Sequence, residues 1–382
     1  SAVQQLLPPN TALLEYFSGD SAVYVFILTG RALIFRQCPA LSNLNLTVGD
    51  LRRALTDKNL RDLEDDFPLF SQSSRLLYDA LLAPSLAALP SSIQHLMIVP
   101  DGLLHEVPFE LLGKATESVN FKSFPYLLRR FTVGYASSAS LLLKQSEAAR
   151  QPEAPGLQSF IGFAPQYSDA DTLGQLVSRT RAIELREGKY PDLPESRKEV
   201  REIAELLQGK AYLGAEASER QFKKHAAQGR ILHLAMHTWL ENRDPLFSKL
   251  FFTQNRQETE EDNDLNAVEL YDLHLQARLV VLSACETGLG KIRQGEGVMS
   301  LARAFAYAGV PATLMSLWQV EDQATHALMV DFYRQLKTGL SKDQALQGAK
   351  LNYLGNCQPE RASPYYWGGF VVSGSLNPLF RQ

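Results

Sequence analysis

The chain has 382 residues, enough for two domains or one large domain with insertions, and its 45% apolar and 21% charged residues are ordinary globular composition. A formal net charge of −4 gives no basic face for nucleic acid, and the longest strongly apolar run, Ala22 to Leu28, is far too short to span a bilayer. The opening residues carry no charged segment followed by an apolar core, so the expectation is a soluble, cytoplasmic protein with no direct nucleic-acid partner and no membrane partner.

The first part of the chain reads as strand, strand, helix, strand. Ala22 to Thr29 and Ala32 to Arg36 form a hairpin pattern around Thr29-Gly30-Arg31. Ser71 to Leu89 has helical apolar spacing, with Pro84 expected to kink or split it. His95 to Val99 is a short apolar strand stopped by Pro100-Asp101-Gly102. Phe131 to Tyr135 is another strand, followed by a Ser-capped helix from about Ser138. The composition then shifts to Ser, Glu, Ala, Gln, Pro and Gly between Gln145 and Gln158, which marks the best linker candidate. A second loose stretch, Gln166 to Pro194, is polar and without period.

The second part alternates strand and helix. Phe160 to Phe163 is a strand, and Ser196 to Leu207 is an amphipathic helix with Ser196 and Glu199 at capping-box spacing. Ser218 to Ala227 is a further helix. Ile231 to Ala235, Arg278 to Ser283, Pro311 to Leu317 and Phe370 to Ser373 read as strands. Helices fall near Gly297 to Ala308, Gln323 to Leu336 and Ser341 to Tyr353. Strands separated by helices predict an α/β fold with a mainly parallel sheet, divided into residues 1–150 and 151–382. The acidic run Gln257 to Asp264 reads as a solvated loop.

Three cysteines are present, Cys38, Cys285 and Cys357, and none is spaced for a zinc site or a disulfide framework, so neither a metal nor a cofactor is implied. Ligands in open α/β sheets bind beyond the carboxyl ends of strands. One predicted strand ends just before His237 and another just before Cys285. An imidazole beside a thiol can take its proton, stabilise the thiolate and later protonate a leaving amine. The backbone N–H groups of Cys285 and Thr238 are candidates for an oxyanion site, and Gly288 and Gly290 permit a tight loop after the nucleophile. His237 precedes Cys285 by 48 residues (285 − 237), close to the separation of roughly 50 described for caspases. His233 lies within its strand and reads as a buried structural histidine, as do His95 and His105 in the first part.

The segments Ile231-Leu232-His233-Leu234-Ala235-Met236-His237 and Val281-Leu282-Ser283-Ala284-Cys285-Glu286-Thr287-Gly288 resemble the paired signatures of CHAT-domain peptidases, which are related to caspases and separases. Pro100-Asp101-Gly102-Leu103-Leu104, Pro108-Phe109-Glu110, Gly162-Phe163-Ala164-Pro165, Leu193-Pro194, Ser316 to Asp322 and Tyr366-Trp367-Gly368-Gly369-Phe370 fit the same pattern. The resemblance implies a caspase-like αβα sandwich, a His/Cys dyad that needs no third carboxylate, and a first half that is degenerate and non-catalytic. It implies cleavage of a protein substrate, with a tetratricopeptide-repeat region or an activator protein as partner, in settings such as bacterial defence or programmed cell death. The family often has Gly directly after the catalytic His, where this chain has Thr238.

Trp318 and Asp322 follow the next strand end and are candidates for substrate binding. In separase-like relatives an Asp at this place lines a pocket for a basic residue, which would favour cleavage after Arg or Lys. The competing reading makes Asp322 the N-cap of the next helix. The competing function is a caspase-like scaffold that binds a partner without catalysis. Another thiol enzyme would call for an elbow turn of the form Gly-x-Cys-x-Gly, which Ser283 to Thr287 does not supply.

Overall fold

The computed structural model describes residues 2–20, 22–39, 43–62, 66–114, 120–167, 192–241, 244–254, 260–283 and 297–380. Their strands are β1 (Thr11–Ser18), β2 (Val23–Thr29), β3 (Leu33–Gln37), β4 (His95–Val99), β5 (Thr132–Tyr135), β6 (Ile161–Pro165), β7 (Lys210–Gly214), β8 (Ile231–Leu234), β9 (Thr238–Trp239), β10 (Lys249–Phe251), β11 (Asp264–Asn266), β12 (Leu279–Leu282), β13 (Ala312–Ser316) and β14 (Phe370–Gly374). Five helices matter most below: α1 (Ala139–Arg150), α2 (Pro194–Leu207), α3 (Glu219–His225), α4 (Asp322–Lys337) and α5 (Lys342–Asn356).

Eleven of the described strands join one sheet in the order β3-β2-β1-β4-β5-β14-β13-β12-β8-β6-β7, while β11-β10-β9 form a small separate sheet. The pairs β1–β4, β4–β5, β6–β7, β6–β8, β8–β12 and β12–β13 are parallel, and β1–β2, β2–β3 and β13–β14 are antiparallel. Strands buried on both faces need no alternation of apolar and polar residues. Strand β1 shows why: Ala12 and Leu14 enter the main core, while Leu13 enters a second cluster on the opposite face with Met97, Val99 and Leu142. The helices therefore cover both sides of the sheet. Gly162 in β6 permits one close approach, since a Cβ there would lie 2.5 Å from Cγ1 of Val200 on α2.

Several sequence expectations change in the structure. Strand β1 precedes the expected hairpin as an additional strand; its run of apolar residues on both faces lacks the period-2 signal of a half-exposed strand. The helix expected over Ser71 to Leu89 begins earlier, at Asp66, and passes through a π turn at Tyr78–Leu82 before Ala83–Ala87. The wider turn sits directly before Pro84, which has no N–H to donate and crowds the preceding turn.

The linker expected over Gln145 to Gln158 starts later. Helix α1 runs to Arg150, capped by Ser138, whose side chain accepts the Leu141 N–H, and Gln145 is buried. Only the exposed residues after Arg150 are irregular. The capping box at Ser196 and Glu199 is not formed, because α2 starts at Pro194, a residue already fixed in the helical φ range. Glu199 instead turns into the core. Described residues of the acidic run are engaged: Asp264 opens β11 and pairs with Lys249, and Glu261 pairs with Lys223. Most of the Gln166 to Pro194 stretch lies outside the described residues.

The two parts of the chain are tied by buried polar groups. Lys350 on α5 donates to Glu110 Oε1 at 2.9 Å and to the Gly368 carbonyl at 3.2 Å, and the Tyr135 hydroxyl donates to the other Glu110 oxygen. Asp343 accepts from His95 Nδ1 at 2.8 Å and from the Thr132 hydroxyl at 2.5 Å. Within the second part, Lys342 donates to the carbonyls of Ser375 and Asn377 at 3.0 and 2.7 Å.

Candidate active site

Strands β8 and β12 are direct parallel neighbours, paired Leu279–Ile231, Val280–Leu232, Val281–His233 and Leu282–Leu234. Beyond the ladder the Ser283 N–H donates to the Leu234 carbonyl at 3.1 Å, and the Ala235 N–H donates to Phe163 at 2.9 Å. The carboxyl end of β8 delivers His237, and the end of β12 delivers the segment with Cys285. Cys285 itself, with the backbone group expected of it and with Gly288 and Gly290, lies outside the described residues.

His237 is buried, 1% exposed, immediately before β9. Its ring centroid lies 4.8 Å from that of Tyr167 at a 51° tilt. The Tyr167 hydroxyl accepts the His237 N–H at 3.2 Å and donates to the Phe251 carbonyl at 2.7 Å, while the Phe251 N–H donates to the His237 carbonyl at 3.0 Å. A tyrosine hydroxyl thus replaces one rung of a two-rung backbone pairing. Sequence reasoning passed over Tyr167, because one tyrosine two residues past a strand carries no periodic or spacing signal.

Thr238 pairs with Leu250 in the antiparallel β9–β10 ladder. Bonded and non-bonded pairs alternate in such a ladder. His237 belongs to the bonded set, so the Thr238 N–H is directed away from β10, to the outer edge of β9. The Thr238 hydroxyl is buried with no hydrogen-bond partner among the described residues.

Strand β13 extends the same edge, paired Leu282–Met315 with β12. Trp318, just beyond it, is 4% exposed and donates its indole N–H to the Tyr365 carbonyl at 3.0 Å. It is therefore an inner wall of this edge, with its polar atom already engaged. Asp322 is the first residue of α4, and Glu321 holds the N-cap position. The competing capping role for Asp322 is therefore not realised. Arg197 on α2 makes a bidentate pair with Asp192 at 2.7 and 2.6 Å, and Asp192 also accepts the Tyr167 N–H at 3.2 Å. The guanidinium is held above its ordinary pKa first by those bonds, and the field of Asp322 adds to the effect.

The other two cysteines are poor thiolates. Burial pushes Cys38 up to about 11 and also raises Cys357. One acidic cluster among the described residues has metal-like spacing, Glu219, Glu261 and Glu269, whose oxygens lie within 4.8 Å of one another. The Lys223 ammonium occupies its centre, 2.8, 2.6 and 2.8 Å from Glu219, Glu261 and Glu269, so the cluster already holds its cation.

The CHAT domain family model matches residues 71–375. The chain belongs to the CHAT domain family. Among curated proteins it is similar to tetratricopeptide repeat protein 28 of Mus musculus, 26% identical over 342 residues, and to that of Homo sapiens, 26% identical over 339 residues. Each alignment covers 79% of this chain, which spans only 13% of those relatives. Among solved structures it is similar to the Saccharomyces cerevisiae separase–securin complex, with a TM-score of 0.59 at 11% identity, over 98% of this chain and 30% of that one. Likeness at that identity concerns the fold, which is caspase-like. No helix among the described residues of this CHAT domain is long and apolar enough to cross a membrane.

Proposed function

We propose that this CHAT domain is a cysteine endopeptidase in which His237 is the acid/base group and Cys285 the nucleophile. One observation carries the reading. Every pair in the β8–β12 ladder is offset by 48 residues, as in Leu282 and Leu234 (282 − 234), and His237 and Cys285 differ by the same 48. Two strands in register thus lead to the two reactive residue types at equal distances past their ends.

In this mechanism His237 takes the Cys285 proton and the thiolate sulfur attacks the peptide carbonyl carbon. The N–H groups of Thr238 and Cys285 receive the oxyanion. Collapse breaks the C–N bond as the imidazolium returns its proton to the leaving amine. Water, deprotonated by His237, then hydrolyses the thioester. Residues 151–382 form the catalytic half, and residues 1–150 a non-catalytic half that completes the sheet. A protein partner is in keeping with relatives that are tetratricopeptide repeat proteins and with a neighbour solved in complex with securin.

A preference for Arg or Lys before the cut rests on Asp322 at the edge of β13. Arg197 already lies within its field, so a substrate cation would share that carboxylate with a resident one. The second reading, a scaffold without catalysis, draws on the burial of His237. A peptide-library cleavage profile of wild type, Cys285→Ala and His237→Ala separates the two. The peptidase reading expects cleavage by wild type alone. Absence of cleavage by wild type favours the scaffold, while cleavage that persists in Cys285→Ala removes Cys285 from the role of nucleophile.

A further inference from the structure

His233 is fully buried and both of its ring nitrogens are engaged. Nδ1 lies 3.0 Å from the Tyr333 hydroxyl of α4, and Nε2 lies 2.7 Å from Glu199 Oε1 of α2 and 3.1 Å from Ser283 Oγ. Glu199, Ser283 and Tyr333 are themselves 1%, 3% and 0% exposed. Burying a carboxylate, an imidazole and two hydroxyls is costly unless each is bonded, and here the four satisfy one another.

The residue types suggest a Ser–His–Glu triad, but the geometry excludes it. In a triad the carboxylate and the hydroxyl sit on opposite ring nitrogens, whereas Glu199 and Ser283 share Nε2. Burial also bars any substrate from the hydroxyl. What the network does is mechanical. Ser283 is bound to β8 twice, through its N–H to Leu234 and through its hydroxyl to His233. It is the last described residue before the segment that holds Cys285, and His233 is four residues before His237. Strand ends open most readily, so two bonds at this point resist separation where a ladder is weakest.

We propose that Glu199, His233 and Ser283 are positioning residues that fix the end of β12 against the end of β8, and so set the distance between the nucleophile and its base. This rests on the peptidase reading above. The test uses the full chain as wild type, Ser283→Ala, Ser283→Thr, Glu199→Gln and His237→Ala. It measures kcat and KM on the best library peptide, iodoacetamide labelling of Cys285 against pH by mass spectrometry, and Tm.

Misplacement of reacting groups by an ångström costs about a hundredfold, so Ser283→Ala is expected to lower kcat roughly ten- to a hundredfold, with KM within about twofold. Its Cys285 labelling profile should move toward that of His237→Ala. Ser283→Thr keeps a hydroxyl and should recover most of the loss, and Glu199→Gln should fall between. A Ser283→Ala protein that loses only Tm, with kcat and labelling profile as in wild type, overturns the proposal and leaves the dyad standing. A labelling profile unchanged by His237→Ala overturns the dyad, and the positioning role with it.

Discussion

His233 and His237 stand four residues apart, and their surroundings differ. The first is locked on both nitrogens inside the core, while the second sits past the strand end against a tyrosine ring. That division was legible in the sequence, because one histidine lies inside an apolar run and the other just beyond it. Glu199 was not legible. Its spacing from Ser196 matches a capping box, and nothing local shows that Pro194 moves the helix start and turns the carboxylate inward. At Asp322 the structure sharpens a prediction. With Glu321 at the N-cap, Asp322→Asn tests the charge without disturbing a cap. Cleavage after Arg should fall by roughly tenfold or more while labelling of Cys285 is unchanged, since losing one partner of a desolvated charge pair costs about 2–5 kcal/mol. Undiminished cleavage after Arg would remove Asp322 from the pocket.

Lys342 gives a second residue-scale prediction. Burial pushes its ammonium down to about 7. The unfolded chain keeps that proton to about pH 10, so between those values the unfolded state binds more protons and stability from this residue rises with pH. Below about pH 7 both states are protonated and the folded protein bears the whole cost of burial. The urea midpoint of wild type should therefore climb more between about pH 7 and about pH 9.5 than that of Lys342→Met. Parallel midpoint curves would show that Lys342 stays protonated in the fold.

Among the elements, α5 joins the two parts of the chain through buried polar side chains. Its Lys350 meets Glu110 from the segment after β4, with 2% and 6% side-chain exposure. Removing one member of a buried pair strands the other charge and costs about 3–5 kcal/mol, whereas replacing both by groups of similar volume is often neutral. Lys350→Met alone should thus be strongly destabilising by chemical denaturation, and adding Glu110→Gln should restore much of the loss. If the double variant loses the sum of the two single losses, the pair is not coupled. The two residues stand 240 positions apart in sequence, and no pattern announces their contact. Helix α1 was legible at its start, through the Ser138 cap, and misread at its end. Its last residues are Gln, Ser, Glu, Ala and Arg, which compose a surface helix as readily as a linker.

Across the whole molecule, the alternation of strand and helix announced an α/β sheet, and the position of β14 was beyond its reach. The last strand enters the middle, between β5 and β13, so the sheet crosses the division at residue 150. The exposed residues 151–156 should therefore be nicked first by a non-specific protease, or else the acidic run 257–264, with α1 itself spared. The nicked fragments should still co-elute in gel filtration, because β14 holds the first part against the second. First cuts within Leu279–Leu282 or Ala312–Ser316, or separation of the fragments, would contradict the single sheet.

The common offset of 48 bears on how distant kin of this chain should be sought. Between β8 and β12 the chain makes an excursion through β9, β10 and β11 before it returns to the sheet. Lengthening that excursion by a few residues would change the offset of the ladder and the separation of histidine from cysteine by the same amount. The value 48 therefore records only how much chain the excursion holds. The equality of the two numbers is invariant to insertion, so a search that demands a fixed spacing discards lengthened kin, while one that demands equality keeps them.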